Sequence, residues 1–126
     1  MAKKEVITLK DILKRKDFFE KRKNETRELY IKSLDANIII SKADKELCMD
    51  VLDMEDSAEA DRYFVYEIIK EPNLHDTSLH ETFGVKNPLD IVDKIFDPGE
   101  VSSIAKEGLA FAGYTDSVEV VNEIKN

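Results

Sequence analysis

The stretch Lys86–Ala105, KNPLDIVDKIFDPGEVSSIA, writes one helix-start pattern twice. Asn87-Pro88-Leu89-Asp90 returns ten residues later as Asp97-Pro98-Gly99-Glu100. Asn87 and Asp97 are N-cap types, Pro88 and Pro98 suit the first helical position, and Asp90 and Glu100 stand where the helix dipole favours an acid. Pro98 also ends the helix before it, because a residue preceding proline is pushed out of the helical region. Two helices meeting at a sharp corner are therefore expected here. Leu89, Ile91, Val92, Ile95 and Phe96 supply the buried face of the first. Val101, Ile104, Ala105, Leu109 and Ala112 continue at helical spacing in the second, toward Gly113. A calcium loop is the competing reading, and it fails on spacing. Such a loop needs oxygen ligands at alternate positions, but Asp90 is followed by Val92 and Lys94, and Asp97 by Gly99 and Val101.

The rest of the chain divides into two kinds of segment. Thr8–Lys16 reads as a short helix, with Thr8 and Asp11 as a variant capping box and Leu9, Ile12 and Leu13 on one face. TRELYIKSLDANIIIS, residues 26–41, changes to a strand period: Leu29 and Ile31 alternate with Tyr30 and Lys32. A turn at SLDAN and the β-branched run Ile38-Ile39-Ile40 then complete a β-hairpin. After Ser41 the pattern is helical throughout. Leu47, Val51 and Met54 share a face, with Cys48 beside them as a small core residue. DSAEADRYFVYEIIKEPN is capped at Asp56 or Ser57 and runs to Pro72, presenting Phe64, Val65, Ile68 and Ile69 between Tyr63 and Tyr66. A short helix, or a single turn, capped by Asp76 closes at Gly84. Thr115 or Asp116 offers a cap for a last short helix or a frayed end.

The expected architecture is α+β and mostly helical: a small N-terminal β-hairpin followed by a compact bundle of five or six helices. Its core is expected around Phe64, Val65, Ile68, Val92, Ile95, Phe96, Ile104 and Leu109. At 126 residues the chain reads as one domain over 1–126, with a basic arm over 1–25 and a C-terminal segment over 114–126.

Charge is placed unevenly. Residues 1–32 hold 11 basic and 6 acidic residues; the remainder holds 8 and 21, giving the net charge of −8. A basic arm invites a nucleic-acid reading, with Phe18 and Phe19 interleaved in KRKDFFEKRKN. The acidic body would repel phosphate, which argues for a solvated arm or one lying on acidic protein. One cysteine forms no internal disulfide and suits a reducing cytoplasm. No segment has the length of a membrane span, and the N-terminus lacks the apolar run of a secretory signal. His75 and His80, five apart, fall on different helix faces, so they do not form a metal pair. There is no phosphate loop, no nucleophile–base order and no cofactor fingerprint. No catalytic, cofactor-binding or metal-ligating residue is expected, nor a small-molecule substrate, and a binding or assembly role stands ahead of an enzyme.

The order of segments carries a further signal. KRK…TRELYIKSL, the Tyr63–Glu67 segment with Glu71–Leu74 after it, the Pro88–Glu100 segment PLDIVDKIFDPGE, and the closing DSVEVVNEIKN follow one another over nearly the whole chain. This order resembles the XkdN-like tail assembly chaperones of phages and prophages of Gram-positive bacteria. The resemblance implies a cytoplasmic protein that binds the tape-measure protein, brings tail-tube subunits to it, and leaves before the virion matures. A structural tail adaptor retained in the virion, or a small regulatory nucleic-acid binder, are the alternative readings. The family's motifs carry no catalyst or ligand across. The expected partner-binding residues are those with apolar side chains on weakly anchored ends: Phe18 and Phe19 in the arm, and Tyr114, Val118, Val121 and Ile124 in the C-terminal segment.

Overall fold

The computed structural model describes residues 5–115 and 117–121. Helices α1 (Leu9–Lys14) and α2 (Lys16–Lys21) precede strands β1 (Thr26–Ile31) and β2 (Ala36–Ser41). Then follow α3 (Lys45–Asp53), α4 (Ser57–Ile68), β3 (Ile69–Glu71), α5 (Thr77–Thr82), α6 (Ile91–Ile95) and α7 (Pro98–Phe111). The expected α+β, mostly helical fold is what the chain adopts: the hairpin leads into five α-helices among the described residues, and the two short arm helices stand ahead of it.

The hairpin pairs Thr26 with Ser41 through to Ile31 with Ala36. Its turn needs one left-handed residue, and Asp35 provides it at φ 48°. Aspartate tolerates that region, and here the Tyr30 hydroxyl donates to Asp35 Oδ1 at 2.7 Å. Strand alternation sends Ile31, Ile38 and Ile40 inward, all buried, while Glu28, Tyr30 and Asn37 face solvent.

The sheet has a third strand, which corrects the expectation of unbroken helix after Ser41. Helix α4 stops at Ile68 rather than reaching Pro72, and Ile69–Glu71 pairs antiparallel with β2, Ile69 opposite Ile40. Both isoleucines are buried. A β-branched residue facing an open strand edge gains a ladder and a covered side chain, which outweighs one more turn of helix.

Helix α4 is the centre of the packing, in contact with α3, α6 and α7. Phe64 and Val65 are wholly buried on it, beside Val92 of α6 and Ile104 of α7. Of the eight expected core residues, Ile95 and Leu109 lie at the rim, half-buried against the cluster. Tyr66, expected to flank the face, is buried within it.

The two proline units behave as helix starts with one difference. Asp97, Pro98 and Glu100 open α7, where the Asp97 N–H donates to Glu100 Oε1 at 2.9 Å. The first unit opens instead with a 3₁₀ turn, Pro88–Asp90, and the α-helix begins only at Ile91. Asn87 still caps, its Oδ1 accepting from the Leu89 N–H at 3.1 Å. Arg62 of α4 reaches Asp93 at 3.1 Å and Asp90 at 3.7 Å, so the acids of this unit tie it to the central helix.

Hydrogen bonds from Ser33 and then from the Asp97 N–H hold the Glu100 carboxyl below the ordinary glutamate range. A depressed folded value contributes stability above the unfolded value, about 4.3, and loses it as pH falls through the folded value. Glu100→Gln should therefore lower the melting temperature at pH 7 and flatten its fall below about pH 4. Parallel melting-temperature curves for the two proteins would rule out this linkage.

Candidate functional site

The arm is built from short pieces with strong local signals and little tertiary support. Thr8 and Asp11 form a reciprocal capping box: the Asp11 N–H donates to Thr8 Oγ1 at 3.1 Å, and the Thr8 N–H to Asp11 Oδ2 at 3.2 Å. The first helix ends at Lys14, short of the expected Lys16, and a second begins after Arg15. No residue of either helix is buried. Leu9 is 73% exposed and Leu13 69%, although they stand on one helix face. An amphipathic face without a partner among the described residues is the main anomaly of the molecule.

Phe18 and Phe19 come together edge to face, centroids 5.3 Å apart. Arg15 lies 4.5 Å from the Phe18 centroid, and Arg22 lies 5.3 Å from that of Phe19. Two guanidinium groups thus cover the pair by cation–π attraction. Phe18 remains exposed and Phe19 half-buried.

The arm and the C-terminal segment leave the body at the same pole. Lys42, just past β2, marks that pole. Its Nζ donates to the Arg22 carbonyl at 3.1 Å and pairs with Glu25 at 3.3 Å. The same ammonium lies 5.4 Å from the ring of Phe111 at the end of α7, and Arg27 of β1 lies 4.3 Å from it. Helix α7 then closes through Gly113 at φ 90°, a left-handed position that favours glycine, with the Tyr114 N–H donating to the Leu109 carbonyl at 2.9 Å.

Beyond that point residues 117–121 form no helix, so of the two readings of this segment the last short helix is not seen among the described residues. Tyr114 is exposed, as are Val118 (93%) and Val121 (67%), so these valines do not close the core. Ile124 lies outside the described residues. No aromatic contact joins Phe18 or Phe19 to Tyr114 among the described residues. The structure unites the two phenylalanines and sets the arm and C-terminal segment at one pole.

Two features were not legible beforehand. One is the Lys42–Phe111–Arg27 contact, which depends on the two ends of the fold meeting. The other is a groove of about 620 Å³ between β1 and the first half of α7, lined by Leu29, Tyr30, Ile31 and Ile104 with Asp97, Glu100 and Glu107 on its rim. Glu100, Ile104 and Glu107 recur at spacings of four and three, so sequence does place them on one helix face, but not against a strand.

The titratable groups weighed as candidates have structural settings. Burial pushes the Cys48 thiol up, with Asp44 adding to it, so the nucleophilic thiolate is disfavoured. The His75 ring stacks on Tyr66 at 4.2 Å, and its Nε2 lies 3.1 Å from the Tyr66 carbonyl. His80 Nε2 lies 2.7 Å from the Leu74 carbonyl. The two rings pin the loop after β3 onto α4. Among the described residues no group of three or more His, Cys, Asp or Glu is placed to hold a metal ion, and no helix is long and apolar enough to cross a membrane.

The family model of phage XkdN-like tail assembly chaperone proteins matches residues 9–125. Neither a curated protein nor a solved structure matches the chain. The matched range begins at the first residue of α1 and passes through the whole body into the C-terminal segment, so it takes in the arm helices and both proline units. The chain belongs to the phage XkdN-like tail assembly chaperone family.

Proposed function

We propose that this chain binds the tape-measure protein before tail assembly, using the arm and the C-terminal segment together, and helps bring tail-tube subunits to it. The observation that carries the reading is the pole itself: Phe18 on one segment and Val118 and Val121 on the other are exposed, and both segments leave the body beside Lys42. A long helical protein awaiting assembly exposes apolar stripes. A chaperone for it must offer apolar side chains while staying in solution itself. The net charge of −8 serves the second need. No covalent chemistry is required of such a protein, and the work is burial and release.

Phe18→Asp combined with Val118→Asp should weaken binding to a tape-measure fragment by about tenfold or more, as loss of central apolar anchors does. Both positions are exposed, so the melting temperature should stay within about a degree or two of the parent. Co-purification and titration calorimetry with the full chain measure the first, and thermal unfolding the second. Undiminished binding by the double variant would move the site away from this pole. Recovery of the chain from mature particles would favour the retained-adaptor reading instead.

A further inference from the structure

We propose that two copies of this chain exchange arms, the basic arm of each docking in the acid-rimmed groove between β1 and α7 of the other. This proposal is independent of which tail protein the chain serves. It starts from two incomplete surfaces. The groove has an apolar floor, Leu29, Ile31 and Ile104, and a rim of Asp97, Glu100 and Glu107 against the single cation Lys32. Its strand side is a sheet edge, because among the described residues β1 pairs only with β2. The Lys42 N–H donates to the Glu25 carbonyl, which fixes the alternation. Arg27, Leu29 and Ile31 then turn their backbone groups to β2, and Thr26, Glu28 and Tyr30 turn theirs outward. Native folds cover or blunt such an edge.

The arm has the complementary character. Residues 9–23 carry seven basic and three acidic side chains, and Leu9 and Leu13 form an exposed apolar stripe one turn apart. Charge complementarity, acid rim to basic helix, selects this occupant over a second acidic body, since two bodies repel. Lys42 holds the base of the arm at the Thr26 end of β1, whereas the groove lies at the Leu29–Lys32 end, and no described arm residue lines it. In this structure the arm lies away from its own groove, which leaves the groove open to the arm of a second copy. A reciprocal exchange uses the same two surfaces twice and closes as a two-fold dimer.

Sedimentation velocity of the full chain tests this. The parent should be dimeric at about 50 mM salt and shift toward monomer at about 500 mM, where the Debye length is only a few ångströms. Leu9→Asp/Leu13→Asp, which spoils the arm, and Ser103→Arg/Glu107→Lys, which spoils the groove, should each weaken association by about tenfold or more. All four positions are exposed, so circular dichroism should be unchanged. The decisive arm of the test is the mixture. An arm-defective chain keeps a sound groove and a groove-defective chain keeps a sound arm. Mixed together, they should form a heterodimer through one intact contact, tighter than either variant alone. A parent that is monomeric at low salt, association indifferent to salt, or variants that fail to complement one another would each overturn the proposal.

Discussion

Phe64→Ala should remove about 4 kcal/mol of folding stability, the usual range for emptying a buried aromatic site being 3–5. Phe64 is fully buried on α4, the helix that α3, α6 and α7 all contact. Its ring reaches the α7 backbone beside Gly108, so deleting it opens a void between the two longest helices. Neither helix can close that void without moving its other contacts. A domain of this size holds roughly 5–15 kcal/mol in all, so the variant would stand near the edge of folding. The melting temperature should fall by about 12 °C or more. Tyr63 is the control: it sits one residue earlier and half-exposed, and Tyr63→Ala should cost about 1 kcal/mol. Urea unfolding of both variants gives the comparison, and equal losses would mean that α4 does not present the face described.

The hairpin and the helix starts were legible because their signals are local. Alternation at Leu29–Ile31, three consecutive isoleucines and a turn with an aspartate specify β1 and β2 without reference to the rest of the chain. Asp56, Asp76 and Asn87 cap the helices that follow them through side-chain oxygens, a contact spanning two or three residues. Strand β3 was not legible. Ile68 and Ile69 continue the helical period of α4, and only the edge of β2 turns the second of them into strand.

The candidate site divides along the same line. Arg15 and Arg22 stand three and four residues from Phe18 and Phe19, so their stacking follows from helical spacing. The exposure of Leu9 and Leu13 does not follow, because periodicity shows an apolar face and is silent on whether anything covers it. The valines of the C-terminal segment left two readings open, a last short helix or a frayed end. A spacing of three suggested a helix, but short side chains without a surface to bury against leave the backbone unsupported, and no helix forms over 117–121. The groove lies furthest from sequence, since its floor joins residues about seventy positions apart.

Gly108→Val should cost about 3 kcal/mol, the upper part of the range for overpacking a filled core. A Cβ at this position would lie 2.5 Å from Ile68 Cδ1 and 2.8 Å from Phe64 Cε2. The isoleucine methyl ends a flexible chain, but the phenylalanine ring is enclosed, so relieving one clash leaves the other. Two effects oppose each other in Gly108→Ala. Helix propensity favours alanine by about 1 kcal/mol, and the clash opposes it by about 1–3; a net loss is expected because two buried groups must yield together. Valine adds two γ carbons and recovers less propensity, so its loss is larger. Gly99, in the first turn of the same helix, has nothing within 4 Å of its would-be Cβ. Gly99→Ala should therefore be neutral or stabilising by up to about 1 kcal/mol. The contrast isolates packing from propensity within one helix. If Gly108→Ala and Gly99→Ala shift the thermal midpoint equally, the close approach of α7 to α4 is wrong. If the contrast holds, Gly108 sets how near α7 lies to α4, and so where Ile104 and Glu107 stand against β1. A chain carrying Gly108→Val that still folds should then lose self-association along with stability, because the groove is shaped by the same contact.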